Sequence, residues 1–137
     1  MNKPNCNLLL VCDQVILSKD NKISLIGIFD QIFVSNFPSH HPRLSLVGNI
    51  TGEAYSDHVL TVVVADSAGK KLLPDQNISL NLGIAGRSNL VAEFINLPIT
   101  MAGSITFSLL FKQIELAKTV LTVSHISQPS PKSKVIN

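Results

Sequence analysis

Two long apolar runs, residues 8–17 and 23–34, flank the five polar residues Ser18-Lys19-Asp20-Asn21-Lys22. Runs rich in Leu, Val and Ile around a polar turn specify a β-hairpin. Successive side chains leave opposite faces of a strand, so a half-buried strand alternates apolar and polar residues. These two runs do not alternate, and both faces of the ribbon are apolar. The core can shelter one face. The other needs a second cover, from its own chain or from a partner. Ile26, Ile28, Ile32 and Val34 are the candidate interface residues on that reasoning. No other feature comes as close to a functional surface, and neither a reaction nor a ligand is legible.

Downstream segments alternate more cleanly. Residues 36–42 contain Pro38 and Pro42, which cannot donate to a ladder, so they read as an ordered crossover anchored by Phe37. In residues 43–51, Leu44, Leu46 and Ile50 share one face, while Val47 joins Ser45 and Asn49 on the other. Leu60, Val62 and Val64 form one face of the next strand. Ile78, Leu80, Leu82 and Ile84 then alternate with Ser79, Asn81 and Gly83. Three further strands are expected within residues 90–97, 105–111 and 119–123. Residues 51–53, 66–70 and 86–89 carry turn chemistry. No stretch shows a capped 3.6-residue period, so no long helix is expected. The pattern predicts an all-β fold, a two-sheet antiparallel β-sandwich (immunoglobulin-like or C2-like) of seven to eight strands, with a closed barrel as the alternative. The 137 residues suit one domain over 1–126, followed by a polar Pro/Ser tail at 127–137.

Only 15% of the residues are charged against 45% apolar, too few charges to coat the whole surface. That favours a homo-oligomer or a protein partner. Eleven basic and nine acidic residues are scattered, and aromatics make up 5% with no Trp. A nucleic-acid surface needs a basic stripe with stacking rings, so nucleic acid is not an expected partner. No run approaches the roughly 18 apolar residues of a membrane span, and the short run before Cys12 falls below a signal core. Cys6 and Cys12 on one strand would sit about 20 Å apart, too far for a disulfide. Both are expected to be buried free thiols on a face shared with Leu8 and Leu10, in a cytoplasmic protein.

The chain offers no constellation for catalysis. His40, His41, His58 and His125 read as exposed loop histidines, not zinc ligands, and neither cysteine has the spacing of a metal site. There is no nucleophile elbow and no phosphate loop. Asp57, Asp66 and Asp75 lack the density of a calcium loop. Asp13 and Asp30 could approach across the hairpin, but like charges opposed on a sheet are destabilising, so hydrogen bonding to backbone is the expected role. No catalytic, cofactor-binding or metal residue is assigned, no cofactor is expected, and the chain is read as a non-enzyme. A small-ligand or carbohydrate site in end loops 36–42 and 51–57, using His40, His41 and Tyr55, is the alternative function.

Residues Leu10-Val11-Cys12-Asp13, then Lys22 through Gly27 to Asp30, then Phe37-Pro38, resemble a bacterial family of small proteins classed as a domain of unknown function. The likeness returns at Gly103, Ile105 and Phe107 and closes on Val120 to Val123. It departs at Ile105, where an aromatic is expected. The resemblance implies a β-sandwich and a bacterial source and brings no activity. Asp13, Gly27, Phe29, Asp30, Phe37, Pro38, Gly103 and Phe107 are its structural-motif candidates. A glycine inside an apolar strand marks a bulge or close approach. A bulge at Gly27 would bend the strand, turning Ile23 and Leu25 inward before it and Ile28 and Ile32 inward after it.

Overall fold

The computed structural model describes residues 2–127. The elements are β1 (Asn5–Leu17), β2 (Ile23–Ile28), β3 (Gln31–Val34), β4 (Ser39–Thr51), β5 (Asp57–Ala65), β6 (Gln76–Asn81), β7 (Arg87–Ile99), β8 (Gly103–Phe111) and β9 (Ile114–His125). They form a four-stranded sheet, β2-β1-β4-β7, and a five-stranded sheet, β3-β9-β8-β5-β6. No helix occurs among the described residues. The expected two-sheet sandwich is therefore present, with nine strands in place of seven to eight. Of the tail expected at 127–137, residues 128–137 lie outside the described residues.

The extra strand comes from the second arm of the opening ribbon. Residues 23–28 pair with β1 as a hairpin, Gln14 opposite Ile26 and Cys12 opposite Ile28. The chain then leaves this sheet at Phe29-Asp30 and enters the other one. There β3 runs parallel to β9, Gln31 beside Thr122 and Val34 beside His125. Two backbone bonds frame that seam, Thr122 N–H to Asp30 O at 2.8 Å and Ile126 N–H to Val34 O at 3.0 Å. An arm whose only polar residues are Ser24, Asp30 and Gln31 has apolar side chains for both layers.

The core lies between the sheets and follows the alternation. Leu44, Leu46 and Ile50 of β4 and Leu90, Ala92 and Phe94 of β7 face Leu60, Val62 and Val64 of β5, Ile105, Phe107 and Leu109 of β8, and Leu121 and Val123 of β9. Phe107 is fully buried, its ring 5.8 Å from that of Phe94. Each such side chain contributes roughly 1.5–3 kcal/mol by leaving water. Ile105 sits in this core as an aliphatic residue and is buried like its neighbours.

Four local expectations are corrected. Residues 39–42 are the start of β4, paired with β7 through Ser39–Ile99, His40–Pro98 and His41–Leu97. Pro42 is accommodated because Asn96, across from it, takes φ +54°. That bend also turns Leu97 and Ile99 inward although Ile95 points out. Ile84 lies outside β6, exposed in a turn that Gly83 and Gly86 enter at positive φ. The cysteines do not share a face: a register shift between Cys6 and Leu8 sets Cys6 opposite core-facing Ile50, while Cys12 lies opposite Ser45. Finally, the change of face falls at Phe29-Asp30. Ile28 still points outward, and only Ile32 turns in.

Candidate contact face and end groove

The outer face of the four-stranded sheet is built from the residues that alternate with the core. The registers line them up in rungs across the strands: Leu8–Asn49–Asn89, Leu10–Val47–Val91, and Ile28–Cys12–Ser45–Glu93. Ile26, opposite Gln14, and Ile95, opposite Arg43, extend the face at either side. Ile28 is 61% exposed, Ile95 56% and Val91 43%. Beneath them Cys12, Val47 and Ser45 are 0%, 2% and 4% exposed, although Cys12 and Val47 do not belong to the core cluster. Large side chains have closed over a small floor on the side of the sheet that faces away from the sandwich.

Polar groups bound this patch without charging it. At one end Asn7 Nδ2 donates to Asn49 Oδ1 (3.3 Å) and Thr51 Oγ1 (3.0 Å), and Asn49 Nδ2 donates to Asn89 Oδ1 (3.1 Å). On the other side Arg43 donates to Glu93 through Nε (2.7 Å) and Nη2 (2.6 Å). That pair is solvent-facing and contributes under about 1 kcal/mol to the fold. Burial raises the Cys12 thiol above its ordinary value, as it does that of Cys6, so both stay protonated at neutral pH.

The candidate interface residues divide between the two sheets. Ile26 and Ile28 lie on the exposed face just described. Ile32 and Val34 lie on β3 and pack against the core, so they are corrected to core-lining positions. Their place was hidden because the apolar run does not break where the chain changes sheets. Sequence reasoning also left Val91 and Ile95 out of the surface; their alternation with Leu90, Ala92 and Phe94 is the signal that finds them.

The motif residues organise the sheet switch and the closing strands. Gly27 takes φ +70° with the Asp13 carboxylate folded over it, in the space a Cβ would need. Phe29 N–H bonds Val11 O at 3.1 Å, and its ring lies 5.7 Å from His41. Phe37, in a cis peptide with Pro38, packs on the core with its ring 5.8 Å from His125. Gly103 opens β8 at φ +129°, with Ser67 against it, and leads to Phe107. Asp13 faces Gly27 in the register and Asp30 lies beyond the end of β2, so the two carboxylates are not opposed.

None of the four histidines lies in a loop: His40 and His41 are in β4, His58 in β5 and His125 in β9. His58 is buried against the edge of Phe111, ring centroids 5.6 Å apart. Its alternation with Leu60, Val62 and Val64 could have revealed this. His58 Nε2 is 2.9 Å from Ser56 Oγ, which donates to Glu53 O at 2.6 Å. With the hydroxyl proton so committed, the network assigns the imidazole proton to Nε2, and the ring cannot act as base toward Ser56. His58 Nδ1 has no hydrogen-bond partner among the described residues. No cluster of three or more metal-ligating side chains occurs among them either.

A groove of about 570 Å³ opens at one end of the sandwich, between β3 and the start of β4. Gln31, Asn36, Ser39 and His40 supply polar groups, and Phe33 and Ile99 apolar ones. Loops 36–42 and 51–57 do not share this end. They lie at opposite ends of the 13-residue β4, about 40 Å apart at the usual strand rise, so Tyr55 cannot join His40 and His41 in one site.

Residues 7–124 match the model of a family of unknown function, DUF6941. The chain belongs to that family. No curated protein matches it. Among solved structures, an immunoglobulin-like protein from Pseudomonas aeruginosa superposes with a TM-score of 0.50 at 12% identity, over 89% of this chain and 97% of its own. The alkylpurine DNA glycosylase AlkC of Pseudomonas fluorescens, solved with DNA containing an abasic site analog, gives 0.52 at 12% identity over 88% of this chain. This DUF6941 chain spans 30% of the glycosylase chain's length. At such identity both likenesses show the immunoglobulin-like fold alone. Among the described residues no helix is long and apolar enough to cross a membrane.

Proposed function

We propose that this chain is a non-catalytic β-sandwich that works through protein contact, with the outer face of the four-stranded sheet as the contact surface. One observation carries the reading: Leu8, Leu10, Ile26, Ile28, Val91 and Ile95 share a face around a buried floor that the sandwich core does not use. Its occupant is a second copy of the chain or another protein. A bacterial cytoplasm is the expected compartment, and the free thiols Cys6 and Cys12 agree with a reducing one. The test is molar mass by light scattering from micromolar to millimolar concentration, for wild type and for Ile26→Lys with Ile28→Lys. Contact through this face lowers the mass of the variant toward one chain. A face that self-associates no better than its lysine variant, and on which the variant captures the same cell proteins as wild type, carries no contact role.

The end groove supports a second reading, a site for a small neutral ligand. Its size falls within the roughly 300–1,000 Å³ of small-molecule sites, and no Lys, Arg, Asp or Glu lines it. Neutral sugars that raise the thermal midpoint, with the rise lost in Asn36→Ala, would support it. No shift with sugars, nucleosides or peptides would remove it.

A further inference from the structure

Resting on the end groove as a ligand site, we infer that its occupant is an extended, uncharged peptide segment of another protein, which pairs with the free edge of β3 as a sixth strand of the five-stranded sheet. The backbone carries the argument. β3 ends that sheet and bonds β9 on one side only. Asp30 O and Val34 O accept from Thr122 N–H and Ile126 N–H. Alternate residues of a strand send their N–H and C=O to opposite sides, so Ile32 also faces β9. The N–H and C=O of Gln31 and Phe33 therefore face away from it, and none of the four has a hydrogen-bond partner among the described residues. They repeat about 7 Å apart, the spacing of the matching groups on any extended chain.

The groove runs along this edge. Its far wall is the start of β4, which pairs with β7 but not with β1, because the β1 ladder stops at Ser45. A strand laid beside β3 turns alternate side chains toward that wall and Ile99, and the others toward Phe33, which is 60% exposed. A peptide main chain supplies donors and acceptors in the order this edge lacks, whereas a sugar carries them in no such row. No Lys, Arg, Asp or Glu lines the groove, so a charged residue of the peptide would lose water and gain no partner. Both edges of the other sheet are guarded against such pairing. β7 carries Pro98 and the positive φ of Asn96, and β2 carries Gly27 at φ +70°. β3 has no proline, no charge and no positive φ.

Amide NMR tests the pairing, with acetyl-Ser-Val-Thr-Val-Ser-amide at millimolar concentration as the probe. The Gln31 and Phe33 amide protons should move downfield, well beyond those of Ile32 and Val34, which are already bonded. The same peptide with every amide N-methylated should bind at least roughly tenfold more weakly. Phe33→Pro removes an N–H that faces away from β9, so it should keep the fold and abolish the shifts. Phe33→Thr keeps that N–H and should retain them. Equal binding of the N-methylated peptide, or a Phe33→Thr variant as damaged as Phe33→Pro, overturns strand pairing and leaves the groove as a ligand site. So does a neutral sugar that binds where the peptide does not. Slow hydrogen exchange at Gln31 and Phe33 in the free chain also overturns the pairing, because the edge would already be filled. No binding by peptide, sugar or nucleoside removes both the strand and the groove reading.

Discussion

The two sheets present the same apolar surface to the core but differ in how apolar they are outside. Outward from the five-stranded sheet point Thr61, Asn77, Ser79, Ser104, Thr106, Ser108, Lys118, Thr122 and Ser124, with Phe33, Val59, Val63, Leu110 and Val120 scattered among them, tied across strands by bonds such as Thr61 Oγ1–H to Asn77 Oδ1 at 2.8 Å and Gln31 Nε2–H to Ser124 Oγ at 3.0 Å. Outward from the four-stranded sheet point Leu8, Leu10, Ile16, Ile26, Ile28, Val47, Val91 and Ile95, with Gln14, Arg43, Ser45, Asn49, Asn89 and Glu93 among them. Inward alternation alone is enough to build a sandwich. The larger apolar share outside the four-stranded sheet is more than that alternation requires, and this excess is the argument for the proposed contact.

The comparison breaks most readily by charge. Ile28→Lys with Val91→Lys should raise the dissociation constant of the self-associated species at least a hundredfold, read by light scattering, because lysine ammoniums would be driven into an apolar contact. Val59→Lys with Val120→Lys on the other sheet should change it less than twofold. Equal effects would erase the distinction between the faces. Next in size is the buried floor. Val47→Ala should lower stability in urea by about 2 kcal/mol although it points away from the core, whereas Ser108→Ala should stay within about 0.5 kcal/mol. A Val47 variant that costs nothing would show that the floor is not packed.

Glycines at the margins sharpen the contrast further. Gly69→Ala, in open space at φ +83°, should lose about 1 kcal/mol from the backbone alone. Gly27→Ala should lose more, and Asp13→Gly in the same chain should return the difference, since the second cost is the collision with the carboxylate. The smallest effect is alkaline. Burial raises both thiols above 9.0 in the folded chain, so the native state holds those protons more tightly than the unfolded state. Their contribution is complete below about pH 8.5, the unfolded value, and is lost as pH rises through the folded ones. Urea midpoints of wild type and of Cys6→Ser with Cys12→Ala should therefore change in parallel up to pH 8 and diverge above pH 9, with wild type falling faster.

The inward faces of β4, β5, β7 and β8 were legible because one period-two pattern meets one core. The outward set was legible at Ile26 and Ile28, where apolar residues occupy positions that alternation assigns to water. The sheet switch was not, because Phe29-Asp30 interrupts residues 23–34 by a single polar side chain, and both halves of the arm are apolar. Cys6 was misplaced by one irregular step beside Leu8, which no propensity marks. His58 was passed over for its polarity although its parity was right. The two end loops were grouped because sequence distance says nothing about which end of a 13-residue strand a loop caps.

The parallel seam between β3 and β9 brings together Gln31 and Ser124, 93 positions apart. A nascent chain thus makes this oily ribbon about 90 residues before the strand that locks its end. Until β9 emerges from the ribosome β3 has no partner in the five-stranded sheet, and fragments ending before residue 122 should aggregate, not fold. Such a ribbon waits, half unpaired, on a strand far downstream of it.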